Sequence, residues 1–425
     1  MSDLITVDNL SDRIGRARIA LAADVVAQAN RTWILRIASC VDDIVLAMVA
    51  LQTGRNLVLL DPLISEIEFR KKMTVLPSSY DLKTKVAIAG NSQIKIHRLS
   101  RLIMFTSGSL GEARAVQLSE GSIDENANSV ITSLDLNEVK CQHLFLPLWH
   151  SFGFLGQLLP CLKKEIATHL YLDFGAFLRS GALSTGAGML AGVPSHFEAM
   201  IRAMPAPNAN FTHIVSAGGA LSVPLRQKMR EAFPGAVLYT NYGQTEAGPR
   251  ILSLKSTEVG FFEGLDGRPV GHWQIRLGKE FELQVKGPQA MLGYTNKPLE
   301  SEWLNTGDIA EISPLGLIQI LGRRDDLVKI SGERVSLLGL ESEYKDILHL
   351  DNLAIIARPD ALRGSVLDLV LEESAIASSE VQKLLAKYFE KNVLPSCIVR
   401  LNQLPRLTNG KIDRVSLKAL IGGGY

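Results

Sequence analysis

The chain has 425 residues, 46% hydrophobic and 21% charged, a globular composition with length enough for a sizeable core and more than one domain. Its 45 lysines and arginines against 44 aspartates and glutamates leave a net charge of +1, which excludes recruitment of nucleic acid by bulk charge. Mean hydropathy is +0.13, yet no apolar run near the N-terminus could span a bilayer or act as a signal peptide. Cys40, Cys141, Cys161 and Cys397 lack the spacing of a zinc site or disulfide framework, so the expectation is a soluble, cytoplasmic protein.

In chain order, residues 11–51 carry apolar positions three and four apart and read as helices, the last ending on Gly54. Residues 56–62, NLVLLDP, read as a short buried strand closed by Asp-Pro. Residues 101–123 read as a strand, a glycine-rich loop, a second strand and a helix capped near Ser119. Strand and helix signals then alternate through residues 143–148, 167–172, 212–220 and 236–243, the pattern of an α/β architecture. After about residue 250 the texture becomes short strands between Gly and Pro; residues 322–335 are charged and turn-rich, and helical patterns follow them. The expected fold class is therefore α/β: a large N-terminal domain with a β-rich subdomain over residues 1–324, and a small α+β C-terminal domain over 325–425.

Several segments carry chemistry. In Thr106-Ser107-Gly108-Ser109-Leu110-Gly111, glycines let the backbone turn N–H groups toward one point and hydroxyls add donors, which suits a phosphate chain. No Gly-Lys-Ser/Thr closes it, so it is not a Walker A loop, and a plain Gly/Ser hairpin is the alternative. In residues 241–248, NYGQTEAG, a tyrosine beside glycine can lie on a base, a threonine can bond phosphate and Glu246 can offer oxygen to Mg²⁺; a strand-to-helix turn with Glu246 favouring the dipole is the alternative. Asp308 in the Asn305-Thr306-Gly307-Asp308 turn could accept both hydroxyls of a ribose, or simply serve the turn. Residues 322–335 and 407–414 complete the series; the first could be a solvated face and Asn409-Gly410 a hairpin turn.

Taken together and in this order, TSGSxG, NYGQTE, TGD, GRxDDxxK and NGKxxR resemble the acyl-adenylate-forming (AMP-binding) superfamily of acyl-CoA synthetases, peptide-synthetase adenylation domains and luciferases, from about residue 101 to residue 414. The resemblance implies that Thr106, Ser107, Gly108, Ser109 and Gly111 wrap the ATP phosphates and that Gly218, Gly219 and Ala220 line the adenine and acyl pockets. It implies that Asn241 and Tyr242 meet adenine, Thr245 the α-phosphate and Glu246 the Mg²⁺, while Asp308 and Arg323 hold the ribose. Asp325 would be the hinge of a mobile C-terminal domain, Lys411 the lysine of the adenylation step, and Gly332 part of the segment used in the thiol step. His150, in the aromatic segment 149–154, would gate the thiol or touch the carboxylate, although a lone His in an apolar segment could also be a packed core residue.

The implied activity is ATP-dependent formation of an acyl-adenylate from a carboxylic acid, then transfer to CoA or a carrier protein's phosphopantetheine. The amino-acid branch carries an Asp where this chain has the segment WHSFGF, so an aryl or short acyl acid without an α-amino group is expected. The alternatives are a stand-alone amino-acid adenylation protein and an inactive nucleotide-binding homologue. Leu110 removes one hydroxyl from the phosphate loop, and Ala113-Arg114 replaces the usual Pro-Lys pair. The region before the loop is shorter than the family norm. Val193, Ser195, Ala217 and Gly243, with His150, are expected near the acid.

Overall fold

The structure is a computed structural model that describes every residue except 1–2, 29, 108–112, 325–326, 332, 351, 361–362, 373–375, 407–411 and 423–425. The chain divides into two units, one of Met1–Arg276, Gln284–Thr306 and Ile312–Gln319, the other of Leu277–Leu283, Gly307–Glu311 and Ile320–Tyr425.

Two eight-stranded sheets build the first unit. One has the strand order Lys297–Pro298, Gly293–Tyr294, Ala113–Ser119, Ser100–Ser107, Leu57–Leu60, Thr32–Arg36, Ser79–Asp81, Val86–Ile88. The other runs Asp3–Ile5, Ala167–Leu170, Cys141–Leu144, Gly188–Gly192, Phe211–Ser216, Val237–Tyr242, Leu252–Lys255, Arg268–Pro269. Its central pairs are parallel, and most of their residues are buried, as in a sheet covered on both faces, with polar Gln142, His143, Thr168 and His213 among them. The loop-bearing stretch folds as its local signals dictate: strands Ser100–Ser107 and Ala113–Ser119 pair antiparallel. The helix Glu120–Ser133 then starts at Ser119, whose hydroxyl accepts from the Ser122 amide at 3.0 Å.

Residues 11–51 are not helical throughout. Between the helices Val7–Ala20, Ala22–Ala27 and Val41–Gln52 runs the strand Thr32–Arg36, with Trp33, Ile34 and Leu35 all 0% exposed. Burying each such side chain contributes about 1.5–3 kcal/mol. A run this short has no periodicity to separate strand from helix, and pairing with Leu57–Leu60 on one side and Ser79–Asp81 on the other decides it.

After residue 250 come the expected short strands, among them Gln274–Leu277, Glu282–Lys286, Leu304–Ile312 and Ile318–Arg323, which form a four-stranded sheet. The second unit contains a three-stranded sheet of Leu353–Asp360, Gly364–Glu372 and Cys397–Leu401, with helices Leu337–Leu348, Ser378–Leu385 and Arg414–Gly422. The charged stretch before it is an antiparallel hairpin, Leu327–Ile330 with Glu333–Ser336, rather than turns alone. The whole is an α/β fold with a smaller α+β part. Among the described residues no helix is long and apolar enough to cross a membrane.

Candidate active site

Thr106 stands at the end of a strand, opposite Arg114 on the returning one. The loop residues Gly108, Ser109 and Gly111, with Leu110, lie outside the described residues, as do Asp325, Gly332 and Lys411.

The NYGQTE segment leaves the strand Val237–Tyr242 and enters a short 3₁₀ turn, Thr245–Ala247. The approach is tight: a Cβ on Gly243 would lie 1.7 Å from the Pro249 carbonyl oxygen, so only glycine fits. Glu246 is then fixed from several sides. Its backbone carbonyl accepts from the Met291 amide at 2.9 Å, and its carboxylate Oε1 accepts from the Tyr294 hydroxyl at 3.0 Å and from the Thr106 hydroxyl at 3.5 Å. Tyr294 is placed by pairing of Gly293–Tyr294 with Val116 and Gln117, on the strand that returns from the loop. Burial, then the charge of Glu246, pushes the Tyr294 phenol up to about 12, so it remains a donor at neutral pH. The Arg114 guanidinium lies 5.9 Å from the Tyr294 ring centroid.

Thr245 meets the aromatic segment: its hydroxyl and that of Ser151 are 2.8 Å apart. His150 precedes Ser151 at the N-cap of a short helical turn and is exposed, so it is not a packed core residue. Gly218, Gly219 and Ala220 are exposed as well, and the backbone of the two glycines lies against Val193 and Pro194. Ala217 donates its amide to the Gly192 carbonyl at 3.2 Å, which brings it beside the same segment; Ser195 is exposed on the helix that follows. Asn241 is 4% exposed. Its amide nitrogen contacts the Ser216 carbonyl at 3.5 Å, while its Oδ1 and the Ser216 hydroxyl have no partner among the described residues. Buried polar atoms without partners are costly, and such an acceptor beside Tyr242 fits the amino edge of a nucleobase.

In the second unit, Gly307 has φ +74°, and a Cβ there would sit 3.0 Å from Arg323 Nη2. The glycine therefore both makes the turn and lets Arg323 Nη1 come within 3.4 Å of the Asp308 carboxylate. The turn is held from behind: Glu282, 5% exposed, accepts from the Gly307 amide at 3.1 Å and from Arg324 at 3.1 Å. A carboxylate aligned this way can accept hydroxyl groups.

Thr106, Thr245 and Glu246 are thus brought together, and Asp308 with Arg323. Tyr294 and Ser151 belong to the first cluster but were not singled out from sequence. Ser151 lies within the aromatic segment, and Tyr294 is marked only by the Gly293 that precedes it. Among the described residues no group of three or more His, Cys, Asp or Glu side chains is gathered to hold a metal by itself. A single carboxylate such as Glu246 fits a hard cation that takes its other oxygens from a phosphate chain and water.

Comparison with known proteins gives the family. The family model described as AMP-binding enzyme matches residues 76–295. Among curated relatives, a feruloyl-CoA synthase of Amycolatopsis is 26% identical over 344 residues, covering 76% of this chain and 70% of that protein. A 2-succinylbenzoate–CoA ligase of Bacillus cereus is 24% identical over 338 residues, covering 75% and 70%. Among solved structures, the o-succinylbenzoate CoA synthetase of Bacillus subtilis in complex with its acyl-adenylate intermediate superposes with a TM-score of 0.82 at 21% identity, over 96% of this chain and 92% of that one. The order of motifs, the sheets that carry them and a family match over more than half of the residues lead to one conclusion: the chain belongs to the AMP-binding enzyme family.

Proposed function

We propose that the protein is an AMP-forming acid–thiol ligase: it activates a carboxylic acid with ATP to an acyl-adenylate and passes the acyl group to a thiol, that of CoA or of a carrier protein's phosphopantetheine. The observation that carries the reading is the Glu246 cluster, where a carboxylate fixed by Tyr294 and by Thr106, near the end of the strand Ser100–Ser107, stands beside Thr245. The names of the curated relatives, CoA ligases of aromatic acids, support the acceptor and an aryl or short acyl substrate. A carrier-protein acceptor and a cytoplasmic location are part of the proposal; the four cysteines, all thiols, support the latter.

The roles follow from charge. Attack of a carboxylate on the α-phosphorus brings two anions together, so cationic and N–H groups aimed at that point lower the barrier. Glu246 would hold the Mg²⁺, which supplies charge neutralisation on the phosphates when bound. Thr106, Ser107, Gly108, Ser109 and Gly111 hold the phosphate chain, and Thr245, steadied by Ser151, donates to the α-phosphate. Asn241, Tyr242 and Gly218–Ala220 take the adenine, and Asp308 with Arg323 the ribose. Lys411 serves adenylation; rotation of the 325–425 domain about Asp325 exchanges it for the Gly332 segment, and exposed His150 gates the thiol. The absence of an acidic residue in WHSFGF favours an acid without an α-amino group.

The test is Lys411→Ala. It should abolish acid-dependent ATP–pyrophosphate exchange while thioester still forms from preformed acyl-adenylate and CoA; undiminished exchange would refute the assignment.

A further inference from the structure

Among the described residues, Arg250 of the first unit is a buried cation with no anion beside it. Arg250 is 2% exposed, and its Nε and Nη1 have no hydrogen-bond partner among the described residues. Nη2 reaches only the Gly156 carbonyl, at 3.5 Å, and the ring of half-buried Phe152 covers the guanidinium at 5.6 Å. Burial alone lowers its pKa, to about 10, with no charged neighbour contributing. Arg226 shows the contrast. It is 1% exposed, but donates to the carbonyls of Leu221, Phe261 and Leu265 and lies 3.8 Å from Asp266. Where this fold uses an arginine as a brace it saturates the donors; at Arg250 it does not. A buried cation without an anion or a full set of acceptors is strongly unfavourable.

Its place tells what would complete it. The segments that begin at Ser151 and Thr245 meet at the two hydroxyls, 2.8 Å apart. The same segments meet again further along, where Gly156 and Phe152 contact Arg250. The guanidinium is therefore seated between the two stretches that flank the proposed reaction centre. Gly156 packs closely against it: a Cβ there would lie 3.5 Å from Nη2 and 3.1 Å from Phe152, so the glycine is what lets this stretch approach the guanidinium.

We propose that Arg250 is the counter-ion for a second anionic group on the acid, so that the substrate class is a dicarboxylic acid with one carboxylate activated and the other held on Nε and Nη1. These unused N–H donors match carboxylate oxygens. The proposal rests on the ligase reading for the fate of the first carboxylate, but binding of the second does not depend on turnover.

Two matched pairs test it: butyrate with succinate, and 4-oxo-4-phenylbutanoate with 2-succinylbenzoate. Pyrophosphate release is measured with wild type, Arg250→Met and Arg250→Lys, and acid binding to the AMP-loaded proteins by calorimetry. Wild type should favour at least one dicarboxylate over its partner by about 100-fold in kcat/KM or in affinity. Arg250→Met should lose about that factor for the dicarboxylate while keeping the monoacid, with Arg250→Lys in between. Unchanged AMP binding and thermal unfolding establish that the variants are folded, and the wild-type comparison stands even if they are not. Dicarboxylate binding that needs Arg250, without pyrophosphate release, upholds this proposal and sinks the ligase reading alone. Equal discrimination by wild type and Arg250→Met, preference for the monoacids, or no binding of either dicarboxylate overturns it.

Discussion

Replacing Tyr294 by Phe removes one hydroxyl and little else, and the geometry says what that hydroxyl does. It donates to Glu246 Oε1 at 3.0 Å, whereas the Thr106 hydroxyl, at 3.5 Å, is at the limit of a useful hydrogen bond. Tyr294 is thus the main side-chain constraint on the carboxylate. A hydrogen bond to a charged group contributes about 1.5–3 kcal/mol; Tyr294 is only half-buried, which favours the lower figure, or about tenfold in an equilibrium constant. The assay is acid-dependent pyrophosphate release as a function of Mg²⁺ at fixed ATP. Tyr294→Phe should raise the Mg²⁺ needed for half-maximal rate by about tenfold. Because the phenol is pushed up to about 12, it is protonated throughout pH 6–9 and the defect should be flat across that range. An unchanged Mg²⁺ dependence, or a defect that vanishes toward pH 9, would show that Tyr294 does not hold Glu246 for the metal.

Other consequences are equally direct. Gly307→Ala places a methyl in a left-handed position against Arg323; it should weaken nucleotide binding about tenfold by calorimetry, from about 1–2 kcal/mol of backbone strain and a displaced Arg323, and unchanged affinity would separate that turn from the ribose. Ser119→Ala should cost about 1 kcal/mol in urea denaturation by removing the helix cap, with pyrophosphate release retained; a destabilisation below the error of the measurement would contradict the capping role. His143 is 4% exposed and burial lowers its pKa to about 4. The unfolded chain binds its proton near pH 6.5 and the folded one does not, so the stability this histidine confers is complete above about 6.5 and falls by about 1.4 kcal/mol per pH unit down to about 4. His143→Phe should remove that part of the slope, read by denaturation at pH 7, 6 and 5; an identical slope would mean that His143 does not titrate as placed.

What could be read from the sequence and what could not divide along a physical line. The strand–loop–strand–helix around residues 100–133 was legible because each signal is local: an apolar run, a glycine cluster, and a serine whose hydroxyl caps the next turn. The α/β class followed from alternation of the same signals. The strand Thr32–Arg36 was not legible, since only its neighbours in the sheet distinguish it from the helices around it. Gly188–Gly192, fully buried at the centre of its sheet, has glycine at both ends and no alternation to betray it. The order of motifs singled out Glu246 and Asp308 as candidates, whereas Tyr294 and Ser151 reach their partners from 48 and 94 residues away. Nothing short of the fold pairs them. Arg250 belongs to the same class: in sequence an arginine after a proline, in the structure a buried cation without an anion.

The most direct test of the account is the product balance with Mg-ATP, CoA and a panel of aryl, short acyl and dicarboxylic acids. AMP, pyrophosphate and acyl-CoA should appear in equal amounts with at least one acid, and omission of CoA should leave acyl-adenylate on the protein. Release of ADP and phosphate, or ATP binding with no pyrophosphate from any acid, would contradict it.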